Sequence, residues 1–238
     1  MPTSHPALEE GAVHVWRTDV GGSADKLDRC RAVLDPDELA RAARFRFDRD
    51  RDSYTTGRGT LRRLLAKYLS APPAELRFAT NDYGKPYLTS PSTANLQFNV
   101  SHSGKLVLIA VALRRDVGID VEVEQAGFDW QPIATRIYSE GEQAALRKMP
   151  ENDQVRGFFQ CWALKEAYVK ARGQGLSFSL QSFTVPVAIC EADGPFTLGD
   201  GDGAQPWTVR PLYPRPGYAA ALAVEGKEAS VQCYGWRP

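Results

Sequence analysis

No apolar run in this chain exceeds eight residues, the stretch Leu106 to Leu113, whereas a helix that crosses a bilayer needs about 20. A membrane-spanning helix is not expected. The first ten residues, Met-Pro-Thr-Ser-His-Pro-Ala-Leu-Glu-Glu, lack the apolar centre of a signal peptide. Cysteine is sparse. Cys30, Cys161, Cys190 and Cys233 form no C-x-x-C pair and no metal-ligand spacing, so neither a disulfide framework nor a cysteine metal site is expected. They read as small buried hydrophobes in a reducing compartment. The expected location is the cytoplasm, where the match of Asn99-Val100-Ser101 to a glycosylation sequon is coincidental. Charge of one sign is missing too: 29 Lys and Arg balance 29 Asp and Glu, so bulk charge gives no reason to expect a nucleic-acid partner. P-loop, G-x-G-x-x-G and kinase signatures are absent, which argues against the ordinary ATP modules.

What is present is an ordinary globular composition, 43% hydrophobic and 24% charged over 238 residues, enough for a substantial core in one large domain or two small ones. Strand-like alternation at 12–19 is followed by a helix start at Asp35-Pro36-Asp37-Glu38, with Asp35 as N-cap and Pro36 in the first turn, running to about Phe47. A long helix over 50–69 presents Leu61, Leu64, Leu65, Tyr68 and Leu69, and Pro72-Pro73 stops it. A strand near 76–80, a turn over Asn81–Pro86 and apolar strands around Phe98 and 106–113 complete the first half. Ser139-Glu140-Gly141-Glu142 opens a helix over 138–148, a long helix covers 153–172, and strands are expected near 176–189, 207–213, 217–224 and 229–236. Gly194–Pro206, rich in Gly, Asp and Pro, reads as a surface loop. The class is α+β, as two similar halves meeting near 114–118: residues 1–115 and 116–238.

Two stretches carry the chemistry. In Gly118-Ile119-Asp120-Val121-Glu122, apolar residues alternate with acids, which puts the carboxylates on one strand face. In Trp162-Ala163-Leu164-Lys165-Glu166-Ala167-Tyr168-Val169-Lys170, the residues Trp162, Glu166 and Lys170 form one helical stripe. Taken singly, these are a solvated sheet face and a solvent-facing helix. If Glu166 meets Asp120 and Glu122, three oxygen donors converge, and a hard divalent cation such as Mg²⁺ relieves their repulsion and holds a phosphate. Lys170 is then ready for phosphate oxygens.

Phosphate donors are present as well. Between positions 41 and 63, eight arginines face three aspartates, a local excess that suits a small polyanion better than a duplex. Lys85 projects from the Gly84-Lys85-Pro86 turn, where a lysine is ordinarily solvent-facing. His102, read as the one histidine of the folded interior, stands between Ser101 and Ser103; it is either a satisfied core residue or a donor to phosphate, helped by Ser101. The residues alone thus point to phosphoryl-type chemistry on a diphosphate ligand bound between the halves.

The motifs Tyr83-Gly84-Lys85-Pro86, Phe98-Asn99-Val100-Ser101-His102-Ser103, Gly118-Ile119-Asp120-Val121-Glu122 and Trp162 to Lys170 resemble, in order and spacing, those of the Sfp-type 4'-phosphopantetheinyl transferases. The resemblance covers roughly residues 10–236 and implies a pseudo-twofold pair of α+β halves in a monomer. It implies transfer of the 4'-phosphopantetheine arm of coenzyme A to a serine of an apo acyl or peptidyl carrier protein, with release of adenosine 3',5'-bisphosphate. By position, Asp120, Glu122 and Glu166 would hold Mg²⁺ or Mn²⁺, and Glu166 or a metal-linked water would take the serine proton. Lys170 would neutralise the pyrophosphate, with Lys165 as a further phosphate contact. Lys85, Ser101 and His102 would bind the adenosine and its 3'-phosphate, Arg41 a phosphate, and Arg58 coenzyme A, while Arg62 would be structural. The segment Ser53-Tyr54 departs from members that carry a basic residue and a threonine near the adenine. The exposed-looking Phe128, Trp130 and Ile133 of 126–137 are a candidate carrier-docking surface or simply caps on the core. Two alternatives remain open: a Mg²⁺-dependent phosphohydrolase of coenzyme A or nucleotides, and a non-catalytic coenzyme A-binding protein.

Overall fold

The computed structural model describes residues 6–22, 24–91, 95–175, 178–187, 194–199, 205–227 and 229–236. The elements run β1 (Ala12–Asp19), α1 (Ala24–Arg31), α2 (Pro36–Ala43), α3 (Asp48–Leu69), β2 (Arg77–Thr80), β3 (Pro86–Ser90), β4 (Leu96–Ser103), β5 (Leu106–Leu113) and β6 (Val117–Val123). After these come α4 (Gln131–Ile137), α5 (Glu140–Lys148), α6 (Glu151–Arg172), β7 (Phe196–Leu198), β8 (Trp207–Leu212), β9 (Tyr218–Glu225) and β10 (Ser230–Gly235). The α+β class is the one expected. Among the described residues, no helix is long and apolar enough to cross a membrane.

The chain divides into two compact units, one of residues 1–80, 86–114 and 230–238, the other of residues 81–85 and 115–229. In the first unit a sheet of order β10-β1-β5-β4 has β5 inside it, buried along all but its last residue, which explains its unbroken apolar sequence. Leu61, Leu64 and Leu65 of α3 pack with Trp16, Phe98, Ile109 and Val111. Because β10 pairs in parallel with β1, the division expected at 115 and 116 is redrawn: the last strand returns to the first unit, and the 81–85 turn goes to the second. The second unit has the order β6-β9-β8-β7. Its long helix α6 lays Ala163, Ala167 and Ala171 over a sheet whose β9 offers Ala219, Ala221 and Ala223, all of them in one buried cluster. Small residues at one helical stripe and on one strand face let helix and sheet approach closely.

Each unit repeats one local device. Asp35 and Glu38 form a capping box at the start of α2, and Ser139 and Glu142 form one at the start of α5. In both, the glutamate also receives a base from the long helix that follows. Glu38 pairs with Arg62 at 2.6 Å and with Arg58, and Glu142 pairs with Lys165 at 2.8 Å.

Several expectations are corrected. Of the strand expected at 176–189, the described part (178–187) holds a single 3-10 turn at Leu180–Ser182 and no strand. Residues 1–5, Cys190 and residues 200–204 of the expected Gly194–Pro206 loop lie outside the described residues. Helices α1 and α4 were not foreseen because each buries a single residue, Cys30 and Ala134 respectively, which leaves no apolar period to read. Strand β3 starts at a proline and, among the described residues, pairs only with β2. His102 is not an interior histidine. It is exposed at the end of β4, while His14 on β1 is fully buried, with Nδ1 2.7 Å from the Tyr68 hydroxyl, to which Trp16 Nε1 also donates at 2.8 Å.

Candidate active site

Asp120 and Glu122 lie on the β6 face that carries Ala221 and Ala219 on β9, since these are their register partners. That face is covered by α6. A Cβ built on Gly118 would lie 2.1 Å from the Ala167 carbonyl oxygen and 2.3 Å from the Ala171 nitrogen, so only glycine admits the helix here. Asp120 is consequently 1% exposed, which removes the reading of this strand as a solvated acidic face. Glu122, towards the end of the strand, is half-buried.

On α6, Trp162, Glu166 and Lys170 are half-buried, as a stripe at the border of the covered face should be. Lys170 Nζ donates to Asp120 Oδ1 at 2.5 Å. Burial, and after it the Asp120 carboxylate, push the Glu166 carboxyl above its usual range, while Lys170 pulls it back. Two carboxylates within electrostatic reach, with an ammonium beside one of them, thus form the charged centre of this unit. Among the described residues, no three Asp, Glu, His or Cys side chains are gathered into a ready cage. The donors still fit a hard cation: they are carboxylate oxygens, on facing elements, and their mutual repulsion raises Glu166.

In the first unit, Ser101 is buried and His102 exposed, as alternation along β4 requires. Arg41 is exposed in the last turn of α2, its guanidinium 5.4 Å from the Tyr54 ring centroid. Arg58 pairs with Glu38 and lies 4.0 Å over the Phe78 ring, so most of its charge is satisfied within the protein. Arg62 is structural, as expected: it is fully buried and bonded to Asp35, Glu38 and the carbonyls of Pro73 and Leu76.

Lys165 requires a correction. It is fully buried, and its ammonium donates to the carbonyls of Leu180 at 2.7 Å and Phe183 at 2.6 Å besides pairing with Glu142. It points away from the solvent-accessible stripe and cannot serve as a phosphate contact in this arrangement. Lys85 Nζ meets Asp116 Oδ1 at 3.0 Å and the Ala171 carbonyl at 2.7 Å. Of the proposed docking aromatics, Trp130 is 3% exposed within the core and Phe128 packs against it, leaving only Ile133 exposed; the two aromatics cap the core. Asn81, Asp116 and Glu142 escaped the sequence reading. The Ser139-x-x-Glu142 spacing was visible, but only as a helix start.

Family models match almost end to end: residues 21–114 match 4'-phosphopantetheinyl transferase, N-terminal, and residues 116–223 match the 4'-phosphopantetheinyl transferase superfamily. The 4'-phosphopantetheinyl transferase HetI of a Nostoc species is 36% identical over 95% of this chain and 90% of its own. A 4'-phosphopantetheinyl transferase of Bacillus subtilis is 32% identical over 79% of this chain and 80% of its own. The enzyme Sfp of Bacillus subtilis is 28% identical over 84% and 86% respectively.

Proposed function

We propose, from the premise that this chain belongs to the 4'-phosphopantetheinyl transferase superfamily, that it moves the 4'-phosphopantetheine arm of coenzyme A onto a serine hydroxyl of an apo acyl or peptidyl carrier protein. The observation that carries the reading is the Asp120–Glu166–Lys170 centre, where a carboxyl made more basic than usual stands next to a second carboxylate and an ammonium. A positioned carboxylate can accept a proton from a reacting hydroxyl, and Glu166 is assigned the serine proton. Asp120, Glu122 and Glu166 would hold Mg²⁺, which when bound supplies positive charge to the pyrophosphate of coenzyme A. Lys170, which now compensates Asp120, would stabilise the negative charge of the leaving adenosine bisphosphate. Arg41, Ser101 and His102 are assigned to the adenosine 3'-phosphate end; exposure of His102 and Arg41 supports access for a ligand. The protein is proposed to be a cytoplasmic monomer that acts on coenzyme A and carrier proteins, with no nucleic-acid partner; free thiols at the buried Cys30 and Cys161 support a reducing compartment.

The test is intact mass spectrometry of an apo carrier protein incubated with the chain, coenzyme A and Mg²⁺, with and without EDTA. A mass gain of one phosphopantetheine that EDTA abolishes is expected. Coenzyme A cleaved with the carrier unmodified would overturn the reading in favour of a phosphohydrolase, and neither product across several carriers would overturn it in favour of a binding protein.

A further inference from the structure

Helix α2 has little apolar packing to hold it. It has eight residues and buries only Glu38 and Ala42, while Leu39 is 39% exposed. A helix this short is marginal in water on its own, and one buried alanine adds little. Its placement therefore rests on charge. Glu38 and Arg41 are spaced i, i+3 and share a face of α2, next to the N-cap Asp35. On α3, Tyr54, Arg58 and Arg62 are spaced i, i+4, i+8 and form one stripe.

The two sets meet in reverse order. Arg62 donates from Nη2 to Asp35 Oδ2 and from Nε to Glu38 Oε2 at 2.6 Å, and Arg58 pairs with Glu38 Oε1. Beyond them, the Arg41 guanidinium lies 5.4 Å from the Tyr54 ring centroid. Both α3 arginines are themselves fixed. Arg62 donates to the carbonyls of Pro73 at 2.9 Å and Leu76 at 3.0 Å, and Arg58 and Arg62 lie 4.0 Å and 5.2 Å from the Phe78 ring centroid on β2. Burial pushes the Tyr54 hydroxyl up, and the charges of Arg58, Glu38, Arg41 and Asp35 all reach it, as groups gathered around one ring should. Glu38 ties the arrangement together: its Oε2 also accepts from the Asp35 nitrogen at 3.0 Å, and its side chain is 7% exposed.

We infer that Glu38 is a positioning residue: by seating α2 on Arg58 and Arg62, it fixes where Arg41, one turn further along, presents its guanidinium. The ligand part of this inference rests on the proposed assignment of Arg41 to the adenosine 3'-phosphate end, but the seating of α2 does not. A guanidinium recognises phosphate through fork geometry as well as charge, so a helix that shifts or frays weakens the contact even with Arg41 intact. Loss of one charge-assisted bond corresponds to about tenfold in affinity. Glu38 belongs to the first unit and the Asp120–Glu166–Lys170 centre to the second, so binding should suffer and turnover should not.

The experiment compares wild type, Glu38→Gln, Arg41→Ala and the double variant by transfer kinetics, by calorimetric binding of adenosine 3',5'-bisphosphate and adenosine 5'-monophosphate, and by amide hydrogen exchange on the free protein, all well below the unfolding transition. For Glu38→Gln, the KM for coenzyme A is expected to rise about tenfold with kcat within about twofold. Affinity for the bisphosphate should fall about tenfold, while that for the monophosphate, which lacks the 3'-phosphate, stays within about twofold. The double variant should have a KM within about twofold of Arg41→Ala alone, because Glu38 acts through Arg41. Exchange in α2 should quicken. Asp35→Asn keeps the N-cap and removes one charge from Arg62; it should show the same pattern more weakly, and it carries the test if Glu38→Gln does not fold. An unchanged KM, effects of Glu38→Gln and Arg41→Ala that multiply in the double variant, or unchanged exchange in α2 would each overturn the inference. If the wild type neither transfers nor binds the bisphosphate, the functional reading fails, while the exchange comparison still decides whether Glu38 seats α2.

Discussion

Lys165→Met separates a lysine that holds the fold from the one proposed for the chemistry. Both members of the Lys165–Glu142 pair are 0% exposed at 2.8 Å, and the two carbonyl bonds to Leu180 and Phe183 complete the three donors of the ammonium. Methionine retains most of the stem and deletes the charge. It leaves Glu142 buried with only backbone donors, from Ser139 at 2.8 Å and Val185 at 2.7 Å, and leaves two carbonyls short of a partner. Breaking a buried pair from one side costs about 3–5 kcal/mol, because the survivor remains desolvated. In a chain of this size each kcal/mol lowers Tm by about 2–4 °C, so the expected drop is roughly 6–20 °C, a large part of a typical stability of about 5–15 kcal/mol.

Scanning calorimetry or thermal circular dichroism reads that drop. Initial rates well below the transition should show a coenzyme A KM within about twofold of wild type. The double variant Lys165→Met with Glu142→Gln removes the orphaned charge, and it should be more stable than the sum of the single effects by about 1–3 kcal/mol. A Tm within about 2 °C of wild type, together with a KM raised tenfold, would refute the structural role and return Lys165 to the phosphate site.

Other outcomes follow from the same geometry. Glu166→Gln keeps the shape and removes the charge repelled by Asp120, so transfer should be lost while Tm holds or rises; a normal rate would end the assignment of Glu166 as proton acceptor. His102→Ala removes an exposed side chain, so the coenzyme A KM should rise more than kcat falls and Tm should shift little; an unchanged KM would take His102 out of the ligand site. Burial pushes the thiols of Cys30 and Cys161 up, and thiolate is the reactive form. Iodoacetamide near pH 8 should therefore label the exposed Cys233 and spare those two until denaturant is added, as peptide mapping would show; native labelling of Cys161 would contradict its burial.

What could be read in the sequence is what depends on short-range periodicity. The alternation in 117–123 located β6 and placed Asp120 with Glu122, and the i, i+4 spacing placed Glu166 beside Lys170, because strand and helix geometry fix which neighbours share a face. The apolar run 106–113 announced a strand covered on both faces. The capping boxes announced two helix starts. The burial of Asp120 was not legible, because it depends on how closely α6 approaches Gly118, and that approach rests on alanines distributed between α6 and β9.

Lysines show the limit most clearly. Lys85, Lys165 and Lys170 all lie within motifs that look phosphate-binding, and their immediate neighbours do not distinguish them. Their partners do, and each partner is remote in sequence. Lys85 finds Asp116 and the end of α6, Lys165 finds a capping-box glutamate and two loop carbonyls, and Lys170 finds Asp120. A capping-box glutamate has two carboxylate oxygens, and the box uses only one of them: Glu142 Oε2 accepts from Ser139, which leaves Oε1 to receive Lys165 and the Val185 nitrogen. On Glu38 the free oxygen Oε1 receives Arg58, while the capping oxygen Oε2 receives Arg62 as well as the Asp35 nitrogen. A helix-starting glutamate followed by a long helix with an internal base is therefore as good a signal of a buried ion pair as of a cap. In this chain Arg62 and Lys165 are the bases so held, whereas Lys170 pairs with Asp120 of the charged centre and is the lysine proposed for the reaction.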